Sequence, residues 1–250
     1  MPHRVFFAAD THLKSGDERR AAHFAQFLEK SRLEAGELYL LGDTFDFWIE
    51  YPHVILTDYF RPLASMRCQI EKGLRLKLIA GNRDFPMAGF FREELGAEVL
   101  GDVCVIRLGG KRIYLTHGDL LCTNDLCYRI WRVFIHSCFS RLFFRLCPVW
   151  MARLIVRCFM RASRAENAEK PERVLSIAPE AVKRVLAGGA DVLVAGHTHI
   201  NHDETIEHTG GSGRLITVAS WQDGPPYPYL AWEDGEFRFE EFRPAEDGPG

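Results

Sequence analysis

The sequence predicts an α/β protein, a layered α/β sandwich that carries one inserted helical segment. Short apolar runs typical of buried strands alternate with stretches whose apolar residues recur at helical spacing. Several of the runs end in the same kinds of polar side chain, and one arginine-rich segment interrupts the alternation. The 250 residues and the 47% hydrophobic content suffice for one full-sized core. We therefore expect a single domain over residues 1–250, with a helical insertion at about residues 122–170.

The first third of the chain alternates regularly between the two kinds of element. In order, the pattern predicts a strand at 5–9, a helix at about 17–33, a strand at 38–41, a helix at 57–71 and a strand at 76–80. Such an order is typical of sheets covered by helices, in which ligands bind beyond the strand ends.

The remaining elements are mostly strands. Two strands, at 103–108 and 113–116, flank a Gly-Gly-Lys turn, and a helix at 179–186 leads into a strand at 192–195. Residues 214–221 and 228–242 also have strand character, and an Asp-Gly pair at 234–235 predicts a hairpin turn.

The segment from Leu126 to Ala165 differs from the rest of the chain. It contains eight arginines, no aspartate or glutamate, and many aromatic residues. Pro148 separates two predicted helices, and Arg153, Arg157, Arg161 and Arg164 share one face of the second. We interpret this segment as an inserted helical hairpin. The alternative is a subunit interface or ordinary packing.

Composition excludes several classes of function. The net charge of -3 gives no overall basic character, so we expect no nucleic-acid partner. The seven cysteines are odd in number and form no CxxC pair, which argues against a disulfide framework and favours the reducing cytoplasm. The N-terminus becomes polar too early for a signal peptide, and no uncharged apolar run of about 18 residues predicts a transmembrane helix.

Five predicted strands end in side chains of the kinds that bind metal ions. These residues are Asp10 and His12, Asp43, Asn82, His117, and His197 and His199. Carboxylate, imidazole and amide donors without a thiolate suit manganese, iron or zinc. Seven ligands exceed one four-coordinate site but suit two ions that share a carboxylate, an arrangement used to hydrolyse phosphoesters. A single Gly-Asp pair mostly marks a turn, so the prediction depends on all five motifs occurring together.

The motifs D-x-H, G-D, G-N, H-G-D and G-H-x-H, in this order, resemble those of the calcineurin-like metallophosphoesterases, and the resemblance covers nearly the whole chain. It implies that fold and two divalent cations. One cation would be bound by Asp10, His12, Asp43 and His199. The other would be bound by Asp43, Asn82, His117 and His197.

Arg83 restricts the resemblance to part of the superfamily, because many of its members have histidine directly after the asparagine of the G-N motif. Arginine cannot donate a proton at neutral pH, but it can hold a phosphate oxygen through two hydrogen bonds. The stretches LGDTFDFW, GNRDF and HGDLLCTND resemble the UDP-2,3-diacylglucosamine pyrophosphohydrolases of lipid A biosynthesis. That resemblance implies hydrolysis of UDP-2,3-diacylglucosamine to UMP and 2,3-diacylglucosamine 1-phosphate (lipid X), by attack at the α-phosphorus and with a preference for Mn²⁺.

The resemblance also implies roles for individual residues. The catalytic residues would be Asp43, Asn82, Arg83 and His117. The substrate would contact Asn82, Arg83, Asp125, Ser163, Asn167, Lys170 and His197. The helical segment would form a lid over the acyl chains, with the protein attached peripherally to the cytoplasmic face of the inner membrane.

Two departures from the family pattern concern substrate recognition. Ile200 and Asn201 stand where the family often has Arg-Pro after G-H-T-H, and Gln222 stands where histidine often follows the tryptophan. Two alternatives remain: a phosphodiesterase or pyrophosphatase that acts on a soluble nucleotide, and a non-catalytic scaffold on the same fold. The wide apolar lid argues against the first, and the complete ligand set argues against the second. The oligomeric state is left unknown.

Overall fold

The structure is a computed structural model that describes residues 4–46, 48, 57–84, 89–122, 146–148, 151, 154 and 177–245. Its elements are β1 (Arg4–Ala8), α1 (Glu18–Glu34), β2 (Glu37–Leu41), α2 (Phe60–Glu71), β3 (Arg75–Ile79), α3 (Gly89–Glu93), β4 (Glu98–Val99), β5 (Val103–Leu108), β6 (Lys111–Thr116), α4 (Pro179–Ala187), β7 (Val192–Ala195), β8 (His202–His208), β9 (Gly211–Thr217), β10 (Tyr227–Glu233) and β11 (Glu236–Phe242), with short 3₁₀ helices at Thr57–Tyr59 and Asp119–Leu121.

The strands form two sheets. The six-stranded sheet has the order β11-β10-β1-β2-β3-β4, and the five-stranded sheet has the order β5-β6-β7-β9-β8. Strands β1, β2 and β3 run parallel to one another, as do β6, β7 and β9. The carboxyl ends of the parallel strands in each sheet therefore lie at one edge, where the loops that follow them are neighbours.

The two faces of the six-stranded sheet cover different cores, because successive side chains of a strand point to opposite sides. In β1, Phe6 belongs to a cluster that contains Phe24 and Phe27 of α1, whereas Phe7 belongs to the cluster shared with the second sheet. These side chains are fully buried, which explains why β1 reads as a continuous apolar run.

The five-stranded sheet repeats this arrangement. Val194 of β7 faces the core between the sheets, whereas Leu193 packs with Val182 and Leu186 of α4. The layers are therefore helices, sheet, sheet and helix, which confirms the predicted layered α/β sandwich.

The structure adds elements that the sequence pattern did not predict, namely α3, β4 and β8. Strand β8, with the sequence HDETIEH, lies at the edge of its sheet and pairs with β9 alone. Its residues are mostly exposed, so it lacks the apolar signal by which buried strands are recognised. The predicted helix at 57–71 is divided, because Thr57–Tyr59 forms a 3₁₀ turn before α2.

The insertion predicted at about 122–170 falls almost entirely outside the described residues, so the helical hairpin and its bounds remain predictions. In the part of the chain that the structure describes, no helix has the length and apolar character needed to cross a membrane.

Phe27 should be a main source of stability for the helical layer. Its ring lies 5.1 Å from that of Trp221 and 5.3 Å from that of Tyr229, between centroids. We expect Phe27→Ala to lower the free energy of unfolding by about 3–5 kcal/mol, because it leaves a cavity in a close-packed core. Leu33 of the same helix is 63% exposed, so Leu33→Ala should change stability by only about 0.5 kcal/mol. Urea unfolding measures both values, and equal losses would contradict the assigned core.

Candidate metal centre

The structure brings all seven predicted metal ligands together at the edge where the strand ends meet. Asp10 and His12 follow β1, Asp43 follows β2, Asn82 follows β3, His117 follows β6, and His197 and His199 follow β7. The chain segments are joined directly: the N–H of Asp10 donates to the carbonyl of Gly42, and that of His12 donates to the carbonyl of Asp43.

The first group of donor atoms belongs to Asp10, His12 and His199. Asp10 Oδ1 lies 3.2 Å from His199 Nε2 and 3.6 Å from His12 Nε2, and the two histidine Nε2 atoms are 3.4 Å apart. Metal–ligand bonds of about 2.0–2.2 Å separate two ligand atoms of one ion by roughly 3.0–3.5 Å. The three atoms therefore have nearly the spacing of ligands that share a cation.

The second group is centred on His117. Its Nε2 atom lies 2.9 Å from Asn82 Oδ1, 3.2 Å from His197 Nδ1 and 3.7 Å from Asp43 Oδ1. Asp10, Asp43 and His117 also form a cluster whose ligand atoms lie within 4.8 Å of one another, so Asp10 takes part in both groups. Two cations held by these groups would be close neighbours.

The hydrogen bond between His117 and Leu41 shows that the second group fits a cation. His117 Nδ1 lies 2.9 Å from the carbonyl oxygen of Leu41. Since a carbonyl can only accept, Nδ1 carries a proton, and Nε2 is the ring atom left to bind a cation. Without a cation, the raised pKa of this ring leaves a second proton on Nε2, which donates to Asn82 Oδ1 at 2.9 Å, and a bound cation would replace that proton. An imidazole oriented by such a backbone contact is the usual form of a metal-binding histidine.

Electrostatics at the site also favour bound cations. Although burial lowers the pKa of His117, the carboxylates of Asp43 and Asp10 outweigh it and raise the pKa to about 9. Burial, together with the charge of Asp10, raises the pKa of Asp43 to about 7. Burial lowers the pKa of His12 to about 3 and that of His197 to about 4. The last two rings are therefore neutral at pH 7, as metal ligands must be.

Five of the seven candidate ligands have left-handed backbone conformations. The φ angles are +51° at Asp10, +44° at His12, +50° at Asp43, +67° at His197 and +61° at His199. Non-glycine residues seldom adopt such angles, and each instance costs on the order of 1–3 kcal/mol. Strain of this kind occurs mainly at functional sites, where the surrounding structure enforces it.

Glycines beside the ligands permit the close approach of the loops. A Cβ atom at Gly196 would lie 2.6 Å from Asp10 Oδ2, and one at Gly81 would overlap the carboxylate of Asp43. Only a residue without a side chain fits at either position, which explains the Gly-Asn and Gly-His dipeptides of the motifs.

Arg83 contacts two carboxylates. Its Nε lies 3.3 Å from Asp43 Oδ2, its Nη1 lies 2.8 Å from Asp46 Oδ1, and its backbone N–H donates to Asp43 Oδ1 at 2.9 Å. The side chain is 20% exposed. Arg83 is thus held beside the metal ligands with part of its side chain accessible.

Two carboxylates near the site were absent from the predicted set of site residues. Asp46 contacts Arg83, and the buried Asp84 accepts hydrogen bonds from the N–H groups of Thr44 and Gly81, so it joins the loops after β2 and β3. Burial raises the pKa of Asp84 to about 6. The sequence offered one signal for both residues, namely their position in the polar stretches that follow predicted strands.

The remaining predicted substrate contacts, Asp125, Ser163, Asn167 and Lys170, lie outside the described residues. Of the residues that depart from the family pattern, Ile200 is 60% exposed. Asn201 has a structural contact, since its Oδ1 accepts from the N–H of Ala219 at 2.8 Å. The backbone carbonyl of Gln222 accepts from Arg20 Nη2 at 3.2 Å.

Comparison with known proteins agrees with this geometry. Residues 3–201 match the calcineurin-like phosphoesterase family. The chain is 37% identical over 226 residues to the UDP-2,3-diacylglucosamine hydrolase of Aeromonas salmonicida (strain A449), with 87% of this chain and 85% of the relative covered. It is 33% identical to the enzyme of the same name from Aeromonas hydrophila subsp. hydrophila, with 87% and 90% covered.

The fold is also similar to that of a solved structure. A dimetal phosphatase from Danio rerio superposes with a TM-score of 0.52, covering 96% of each chain at 12% identity. At this identity the similarity concerns the fold alone.

Gly81→Ala should weaken metal binding without changing a ligand. The added methyl group would displace the Asp43 carboxylate, so we expect the affinity for divalent metal to fall about 10- to 100-fold, as when support for a ligand is lost. Gly73 has a φ of +103° and open space around it. The control Gly73→Ala should therefore lower the melting temperature through backbone strain but leave metal affinity intact. Calorimetric titration with Mn²⁺ measures the affinities, and unchanged binding in Gly81→Ala would contradict the close approach.

Proposed function

The chain belongs to the calcineurin-like phosphoesterase family and, within it, to the UDP-2,3-diacylglucosamine hydrolases. From this premise we propose that it cleaves the pyrophosphate of UDP-2,3-diacylglucosamine in lipid A biosynthesis. The products are UMP and 2,3-diacylglucosamine 1-phosphate. The observation that carries the proposal is the convergence of seven oxygen and imidazole donors where strand ends of both sheets meet, with donor atoms spaced as the ligands of a shared cation are.

The seven donors divide between two cations in this proposal. Asp10, His12, Asp43 and His199 would hold one, and Asp43, Asn82, His117 and His197 would hold the other. The donor distances support grouping Asp10 with His12 and His199, and His117 with Asn82 and His197. The assignment of Asp43 to both cations follows the family resemblance. Manganese is the proposed metal, because the set combines hard oxygen donors with imidazole and contains no thiolate.

When bound, two such cations lower the pKa of a water molecule and stabilise the charge on the attacked phosphoryl group. The protein residues position these partners. Leu41 fixes the tautomer and orientation of His117 through its carbonyl, and Asp43 and Asn82 present oxygen atoms beside that ring. His197, which follows β7 in the same sheet as β6 and His117, contributes Nδ1.

Arg83 would bind the diphosphate rather than supply a proton. The guanidinium stays charged at neutral pH and can donate two parallel hydrogen bonds to phosphate oxygens. The group that leaves after attack at the α-phosphorus is a sugar phosphate, which is stable as an anion. Such a leaving group needs little help from an acid, so arginine suits this position.

The geometry of the described residues supports the proposed catalytic residues, and the sequence supports the remaining substrate contacts. We propose that Asp125, Ser163, Asn167 and Lys170 contact the substrate, with the positive charge of Lys170 near the diphosphate. The apolar, arginine-rich insertion at about 122–170 would cover the acyl chains. The proposed location is the cytoplasmic face of the inner membrane, with peripheral attachment and no nucleic-acid partner.

A substrate comparison tests the proposed function. Purified protein loaded with Mn²⁺ should release UMP from UDP-2,3-diacylglucosamine much faster than it hydrolyses UDP-glucose or an aryl phosphodiester. Equal or faster turnover of UDP-glucose would instead indicate an enzyme for soluble nucleotides. Absence of turnover on all three would support a scaffold.

Asp43→Asn should abolish this activity, because it weakens the ligand assigned to both cations. We expect turnover to fall on the order of a thousandfold, equivalent to about 4 kcal/mol of transition-state stabilisation. Asp203 forms an ion pair with Arg214 on the β8–β9 hairpin, so Asp203→Asn is a control that should retain activity. Near wild-type turnover in metal-loaded Asp43→Asn would exclude the assigned role.

Changing Arg153, Arg157 and Arg161 together to serine should release the protein from anionic vesicles. Each basic residue near such a surface contributes about 1 kcal/mol, reduced by salt. The triple variant should also raise KM for the diacylated substrate more than KM for a short-chain analogue. Vesicle co-sedimentation and steady-state kinetics measure the two effects. If vesicle binding is unchanged and both KM values change equally, the insertion does not bind lipid.

A further inference from the structure

Arg83 is held in place from one side by Asp46. The Nη1–Oδ1 distance of 2.8 Å is that of a charge-assisted hydrogen bond, and the Nε–Asp43 Oδ2 distance of 3.3 Å is longer. Among the residues that the structure describes, these two contacts engage Nε and Nη1 but not Nη2, which can donate to a phosphate oxygen. The guanidinium is planar, so fixing one edge also fixes the direction in which the other edge points.

Asp46 is itself firmly placed. Its backbone N–H donates to the carbonyl of Leu13 at 2.9 Å, and the N–H of Leu13 donates to the carbonyl of Thr44 at 3.0 Å. Leu13 follows the candidate ligand His12, and Thr44 follows Asp43. Asp46 is therefore anchored to the loops that carry ligands from both β1 and β2, so it can transmit their geometry to Arg83.

Without Asp46, the guanidinium of Arg83 could bind a second nearby carboxylate, that of Asp43. Asp43 Oδ2 already lies within 3.3 Å of Nε, so loss of Asp46 would let the guanidinium turn towards Asp43. In that position it would compete with the cations for the carboxylate and point away from the substrate. Asp46 supplies a second negative charge that prevents this rearrangement.

We propose that Asp46 is a positioning residue that orients Arg83 towards a phosphate group of the substrate. The inference rests on the proposed function only in taking Arg83 as the phosphate-binding residue. Asp46 belongs to neither of the metal-binding groups found among the described residues, and the contact through which we expect it to act is the 2.8 Å bond to Arg83.

A double-mutant cycle tests this inference, since residues that act through one another show non-additive effects. Arg83→Ala should lower kcat/KM on the order of 10- to 100-fold, and Asp46→Ala should lower it by a similar or smaller factor. In the Arg83→Ala background, Asp46→Ala should cause less than about a twofold further loss. Asp46→Asn, which keeps an acceptor oxygen, should lie between wild type and Asp46→Ala.

The matched control is Asp203→Ala, which removes the partner of Arg214 in an Asp–Arg pair on the β8–β9 hairpin, where neither residue contacts a candidate ligand in the hydrogen bonds described. It should leave kcat/KM unchanged and show no coupling to Arg83. Metal content per chain and the thermal midpoint are measured for every variant. Both should stay at the wild-type value in Asp46→Asn, because Asp46 binds no metal in this scheme.

Additive losses in the cycle would overturn the inference, and so would loss of metal from Asp46→Asn. The cycle can be run on whichever phosphoester the wild type hydrolyses. Failure to hydrolyse UDP-2,3-diacylglucosamine would therefore count against the proposed function, whereas additivity on an accepted substrate would count against Asp46 alone.

Discussion

The site depends on hydrogen bonds that cross between the two sheets. Asp10, which follows β1 of the six-stranded sheet, accepts at Oδ2 from the N–H of His197, which follows β7 of the other sheet. In the opposite direction, His117 Nδ1 of the second sheet donates to the carbonyl of Leu41 in the first. Each sheet thus orients a candidate metal ligand that follows a strand of the other sheet. The core between the sheets, with Phe7 and Val194, holds them at the separation at which both bonds form.

This arrangement explains how the strained backbone at the site persists. Left-handed angles at Asp10, Asp43 and His197 are each unfavourable in isolation. They follow strands whose buried side chains fix the position of the chain up to the last residue of β1, β2 and β7. The strain is therefore offset by the packing of the sheets, and cations bound at the converging donors would offset more of it. Stability and function are opposed at these loops, because the geometry that suits a cation is poor for the backbone.

Sequence reasoning predicted the features that depend on local pattern. Buried strands read as apolar runs, and the ligands follow them directly, so both the sandwich and the convergence of His117 with Asn82 could be anticipated. Strand β8 could not be anticipated, because an edge strand whose two faces are largely exposed to solvent has no apolar pattern in its sequence. Asp46 and Asp84 were missed for a different reason. A carboxylate that binds another side chain or a backbone N–H looks in sequence like one that binds a metal or water.

The position of Arg83 links the fold to the choice of substrate. An arginine brings a permanent positive charge to a place where carboxylates and imidazoles would collect cations, and such a charge would repel them if it stood alone. Asp46 balances that charge at 2.8 Å, while Asp10 and Asp43 balance only part of the charge of two divalent ions. In the proposed reaction, the cations and the guanidinium would together attract the negative charge of the substrate. A diphosphate carries negative charge on both phosphoryl groups. A histidine here could serve a leaving group that needs a proton, whereas a paired arginine suits one that departs as a stable phosphate.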